Sequence, residues 1–230
     1  MESIASNQTF NNTLFTPASE KSRQAYTGDQ AEVFAEVFQE NSNIIIWERE
    51  LSKSLKTSVS HFIQAKPSFQ TSLNLSPNNA LANIKKEIDS ADEFNEVGEN
   101  IAELVDMFCY LFALKRAGLR LAVLQHAMCP KFHVDKVPCR LVTTYQGIAT
   151  EWLSHDAVNR AKLGMGSKGK PDSQSGLYQN AQDVQQLKAG DVALLKGELW
   201  EGNQNAGLVH RSPTLSDNEN RLLLTLDFSD

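Results

Sequence analysis

The chain has 230 residues, of which 41% are hydrophobic and 22% charged, and a formal net charge of −6. That is enough apolar material for a sizeable core in one domain with extensions or in two small ones, which excludes disorder throughout. The acidic balance works against non-specific attraction to nucleic acid phosphates or an anionic membrane surface, so neither partner is expected.

Met1 to Asp29 lacks a basic start followed by an apolar run, and no apolar stretch reaches the roughly eighteen residues of a membrane span, so a cytoplasmic location is expected. Residues 1–28 are rich in Asn, Ser, Thr and Gln without apolar periodicity and read as a flexible arm. Val33, Phe34, Val37 and Phe38 have helical spacing, and Ile44-Ile45-Ile46-Trp47 is a short run of β-formers. Residues 49–64 read as a helix with Leu51, Leu55, Val59 and Phe62 on one side. Ser76-Pro77 opens another candidate helix over 78–89. The longest helical period runs from Phe94 to Ala117 and includes Val97, Ile101, Leu104, Phe108 and Leu111; Gly118 stands where a C-cap glycine would. Residues 29–117 are therefore expected to be a mainly helical supporting region.

From Gly118 to residue 230 the period becomes that of strands. Leu119 to Gln125, Arg140 to Tyr145, Asp191 to Leu195, Leu208 to Ser212 and Arg221 to Phe228 are rich in Val, Leu and Thr, and Gly, Pro and Asn separate them. This spacing favours a sandwich, barrel or jelly roll, in an α+β chain. Residues 154–189 are polar and glycine-bearing, a composition suited to a lid over a cleft. Three cysteines, Cys109, Cys129 and Cys139, are an odd number for a disulfide framework, so reduced thiols are expected.

The chemistry concentrates at Phe132-His133-Val134-Asp135. On an extended segment residues i and i+2 point to one side, so His133 and Asp135 can converge on one ion. His210 lies near the end of another predicted strand, and Arg221 begins the last one. H-x-D, then His, then Arg is the order of a two-His-one-carboxylate triad that leaves positions open on non-haem Fe(II), followed by a basic residue that grips a cosubstrate.

Cys129 to Phe228 resembles the core of the iron(II) and 2-oxoglutarate-dependent oxygenases through HVD, RLVTTY, TEWL, GDVALLKGELW, VHRS and RLLLTLDF. The resemblance implies a double-stranded β-helix, jelly-roll or cupin-like, spanning 118–230 and backed by the N-terminal helices. It also implies Fe(II) on His133, Asp135 and His210, and 2-oxoglutarate on Arg221. More closely, CPKFHVDKVPCRLVTTYQGIATEWL with VHRSP resembles an uncharacterised bacterial domain-of-unknown-function family. That resemblance implies a link to metal-chaperone-type GTPases of zinc homeostasis and assigns no reaction.

Alternation in the last strand puts Arg221, Leu223, Thr225 and Asp227 on one face and Leu222, Leu224, Leu226 and Phe228 on the other, with Arg221 toward a polar cavity. Its planar fork suits the distal carboxylate of 2-oxoglutarate. Oxygenases of this type often carry a hydroxyl two positions after the arginine, where this chain has Leu223; Thr225 or Tyr145 is the expected substitute. Cys129 and Cys139 flank the motif as C-x3-H-x-D-x3-C, which favours Zn(II) as the alternative metal. His61 and His155 read as structural or solvated, His126 as a supporting neighbour, and Trp152 and Trp200 as core or rim. Three functions follow: an oxygenase acting on an unknown small-molecule or protein substrate, a zinc-binding accessory protein, or a non-catalytic cupin-like binding module.

Overall fold

The computed structural model describes residues 22–88, 94–217 and 219–229. It is a mixed α+β chain with a large sheet and few helices. In chain order come β1 (Gln24–Gly28), a 3-10 helix (Ala31–Phe38), β2 (Ser42–Trp47), α1 (Lys53–Ala65), β3 (Gln70–Leu75), α2 (Ala80–Glu87) and α3 (Asn95–Leu111). There follow β4 (Arg116–Leu124), β5 (Cys139–Gln146), β6 (Glu151–Leu153), β7 (Val184–Gln186), β8 (Val192–Lys196), β9 (Val209–Arg211) and β10 (Arg221–Ser229).

Seven strands form one sheet in the order β1-β2-β8-β5-β10-β4-β3, and β7-β6-β9 form a second. Only the β1–β2 pair of the large sheet is parallel; its other neighbours run antiparallel. Both faces of the large sheet are covered. Leu222, Leu224 and Leu226 of β10 share one buried cluster with Val59 and Phe62 of α1, Ile84 of α2 and Ile101, Leu104 and Phe108 of α3. Leu223 points the other way and joins Ala193, Leu195, Ala149 and Leu208, next to Trp152 of β6. Each such burial stabilises the fold by about 1.5–3 kcal/mol, so the two-residue period of β10 ties it to both layers.

Four local readings differ from the sequence-based expectation. Of the arm over 1–28, residues 1–21 lie outside the described residues, whereas Gln24–Gly28 are a strand paired with β2. Their side chains are mostly exposed at the sheet edge, so the segment shows no apolar pattern. The region 29–117, expected as mainly helical with a strand at Ile44–Trp47, holds that strand as β2 and in addition β3 and the start of β4. The long helix ends at Leu111, not at Gly118. Ala113 takes the left-handed conformation at φ 52°, and the Leu114 amide bonds the Cys109 carbonyl at 2.9 Å, which turns the chain into β4. Residues 154–189, read as a long polar loop that could form a lid, hold short helical turns and β7 and pack in part against the outer side of the small sheet. There Val158, Leu163, Leu177 and Tyr178 pack with Phe132, Leu153 and Val209.

Candidate metal centre

His133 and His210 are brought together by their backbones. Each amide donates to the other's carbonyl at 3.0 Å, an isolated antiparallel bridge on the open edge of β9. The other edge of β9 pairs with β6, with His210 opposite Trp152. Alternation in β9 sends Val209 outward and His210 inward, toward the large sheet. Asp135 follows His133 by two residues and lies on the same side.

Two glycines permit this approach. A Cβ on Gly207 would collide with the Val134 side chain, and one on Gly197 would collide with the carbonyl oxygens of Val137 and Asp135. Val134 and Asp135 thus lie directly against the 197–207 loop, where the Glu198 amide donates to the Asp135 carbonyl at 2.9 Å.

One imidazole nitrogen of each histidine and one carboxylate oxygen lie within 4.8 Å of one another. Asp135 Oδ1 is 3.6 Å from His133 Nε2, and Oδ2 is 3.4 Å from His210 Nε2. The Nδ1 atoms sit 2.9 Å from the Lys131 carbonyl and 3.2 Å from the Leu208 carbonyl. A carbonyl can only accept, so each Nδ1 carries a proton; Nε2 is then the lone-pair nitrogen of the neutral ring, open to an ion, and becomes a donor to the carboxylate when the ring is protonated. This is how histidines are held for a metal. Burial works to raise the pKa of Asp135, but hydrogen bonds from both histidines and the charges of His210 and Arg140 outweigh it and hold the carboxylate well below its usual range. The His133 pKa is raised, chiefly by its bond to Asp135.

The remaining expected residues divide by strand phase. Arg221 is 1% exposed and lines the same cavity as His133, His210 and Thr225. It donates to Thr144 Oγ1 at 3.0 and 3.2 Å, to Thr150 Oγ1 at 2.8 Å and to Ser212 Oγ at 3.0 Å. Burial lowers its pKa to about 10, which still leaves it a cation at neutral pH. Tyr145 is not brought to the site. It lies on the opposite phase of β5, buried in the helix-side cluster, where its hydroxyl donates to Asn100 Oδ1 at 3.0 Å. Cys139 shares that phase and is fully buried, which pushes its thiol pKa up; Cys129 is exposed at the cavity and lies outside the three-residue group. His61 and His126 are exposed. His155 lines a separate cavity of about 550 Å³ with Arg23 and Arg160, none of which line the triad's cavity.

Sequence reasoning missed Thr144, Thr150, Ser212 and Arg140. Ser212 was within reach, since it follows His210 by two residues on an extended segment. Arg140 required the sheet register. It stands opposite Asp227 and donates to Asp135 Oδ2 at 2.6 Å.

Among the described residues no helix is long and apolar enough to cross a membrane. The structure is similar to a rice dioxygenase for auxin oxidation, with a TM-score of 0.49 and 10% identity, covering 90% of this chain and 83% of that one. It is also similar to the 2-oxoglutarate complex of dioxygenase for auxin oxidation 1 from Arabidopsis thaliana (TM-score 0.48, 10% identity, 90% and 92% covered). A third similar structure is a Pseudomonas putida prolyl-4-hydroxylase (TM-score 0.45, 10% identity, 86% and 96% covered). No curated protein matches the chain. Residues 28–227 match the model of the family described as protein of unknown function (DUF1826), and the chain belongs to that family.

Proposed function

We propose that the protein is an iron(II)- and 2-oxoglutarate-dependent dioxygenase of an as yet unidentified substrate, built on a double-stranded β-helix core backed by its N-terminal helices. One observation carries this reading. A buried arginine cation, whose hydrogen bonds among the described residues go only to neutral hydroxyls, faces the same cavity as a two-His-one-Asp group. A buried cation is costly unless an anion joins it. A dicarboxylate can supply that anion with one end while its other end lies beside the histidines.

The donor set fits the metal. Two imidazole nitrogens and one carboxylate suit non-haem Fe(II) and leave coordination positions open. A closed zinc site needs a fourth protein ligand. Cys139 faces the wrong side of β5, and Cys129 lies outside the group. His133, Asp135 and His210 would hold the ion, and bound Fe(II) with 2-oxoglutarate would supply the oxidising chemistry. The chain's own contributions are separable from that chemistry. Lys131 and Leu208 carbonyls fix the imidazole tautomers. Arg221 binds the distal carboxylate and is itself oriented by Thr144, Thr150 and Ser212. Thr225, rather than Tyr145, is the hydroxyl-bearing candidate of β10 for the same ligand. Val142, Leu195 and Leu223 line the cavity and keep water from the ionic contacts.

The test loads anaerobic apoprotein with Fe(II) or Zn(II), admits oxygen, and follows succinate formed from 2-oxoglutarate. Succinate with iron alone, lost in His133→Ala and kept in Cys129→Ser, is the expected result. Tight zinc binding lost in Cys129→Ser, with no turnover on iron, would replace the oxygenase by a zinc-binding accessory protein.

A further inference from the structure

We propose that Arg140 and Asp227 act as one brace that fixes the Asp135 carboxylate and restricts it to ligation through a single oxygen. Both are then positioning residues of the centre. The inference rests on the metal reading above.

Arg140 of β5 and Asp227 of β10 are directly opposite in the antiparallel ladder. Their contact is a paired fork, with Arg140 Nε to Asp227 Oδ1 at 2.8 Å and Nη2 to Oδ2 at 2.9 Å. This pairing uses one edge of the guanidinium and turns the other toward the metal group, where Nη1 donates to Asp135 Oδ2 at 2.6 Å. A cross-strand pair by itself requires only Asp227. The third bond, to a carboxylate on a segment outside the sheet, ties Asp135 to the central strand of that sheet.

Two consequences follow from elementary chemistry. A carboxylate with both oxygens free can rotate about Cβ–Cγ and chelate an ion with both. The guanidinium stops that rotation and occupies one lone pair of Oδ2, which also lies 3.4 Å from His210 Nε2, so Oδ1, 3.6 Å from His133 Nε2, is the oxygen with both lone pairs clear of Arg140. Three ligand atoms then come from the chain and the rest of the coordination sphere stays open. Charge is also balanced, because Asp227 offsets Arg140 and leaves the negative charge of Asp135 for the ion. Without Asp227, an uncompensated cation would stand beside the ligand and repel a dication.

The experiment titrates the full-length apoprotein with Co(II) and reads both affinity and the visible absorption spectrum, which reports coordination number. Wild type is compared with Arg140→Ala, Arg140→Lys, Asp227→Asn and the Arg140→Ala/Asp227→Asn double variant; Asp227→Asn keeps size and is decisive if Arg140→Ala does not fold. Each single substitution is expected to weaken Co(II) binding by about 10–100-fold and to alter the spectrum. Arg140→Lys, a cation without the fork, fails to restore either. The double variant loses no more than Arg140→Ala alone, because a brace acts as a unit. Affinities within about twofold of wild type with an unchanged spectrum, even alongside a lowered Tm, would reduce the pair to a cross-strand contact and overturn the proposal. Absence of Co(II) uptake by wild type, or uptake indifferent to His133→Ala, would remove the metal centre itself and the brace with it.

Discussion

The two faces of the large sheet are built from the same strands and obey different rules. On the helix side, β10 presents Leu222, Leu224 and Leu226 to Phe62, Ile101, Leu104 and Phe108, every one of them under 2% exposed. On the other side the same strand presents Arg221, Leu223, Thr225 and Asp227, and its neighbour β5 adds Arg140 and Thr144. The first face answers to the transfer of apolar area out of water. The second keeps charges near or below the surface, where the proposed function gives them ligands to hold. If the proposed function holds, stability and activity belong to opposite sides of one strand, and substitutions on the two sides should separate them.

The largest effect is expected on the helix side. Phe108→Ala removes a buried ring that meets Phe112 and Phe228 edge-on, and should cost about 3–5 kcal/mol in denaturant unfolding while leaving any remaining folded protein able to bind metal. Loss of metal affinity in the folded fraction would show that the two faces are not independent. Arg221→Met tests the other side. Binding of 2-oxoglutarate, followed by calorimetry on the metal-loaded protein, should weaken by about 1.5–3 kcal/mol, with Tm unchanged or higher because a desolvated cation has been removed. A Tm that falls as far as in Phe108→Ala would make Arg221 a structural residue.

A third substitution falls on the 197–207 loop that packs against the H-V-D segment. Gly197→Ala forces a methyl into the Val137 and Asp135 carbonyls. The strain of overpacking is typically about 1–3 kcal/mol, and here it should appear as weaker metal binding as well as lower Tm. The smallest effect belongs to Tyr145→Phe, which removes a hydroxyl bonded to Asn100 and should cost about 0.5–1.5 kcal/mol of stability without changing the affinity for 2-oxoglutarate. Any loss of that affinity would return Tyr145 to the cavity.

The contrast between faces also explains what could be read from the sequence. The phase of β10 was legible because Arg221, Thr225 and Asp227 fall on one alternation, interrupted only by Leu223, while the other is apolar from Leu222 to Phe228, and H-x-D needs no more than the geometry of an extended segment. Tyr145 was misplaced because Arg140 to Tyr145 holds apolar or hydroxyl residues at almost every position, as a strand buried on both faces does, so nothing local fixes its phase. The brace was hidden for a different reason. Arg140 and Asp227 are 87 residues apart, and only the register makes them neighbours. At the end of α3 the apolar spacing runs on through Phe112 and Leu114 to Gly118, while the turn is made by Ala113 in a conformation usually left to glycine. β3 was overlooked because QTSLNL is an edge strand with only two apolar side chains.

The reciprocal backbone bonds between His133 and His210 give the centre an intrinsic reporter. Each amide hydrogen is held by the other residue's carbonyl, so deuterium can replace it only when the segment carrying His133 parts from β9. The exchange rates of these two amides therefore measure, with no ion or cosubstrate present, the fraction of time the two halves of the site spend apart.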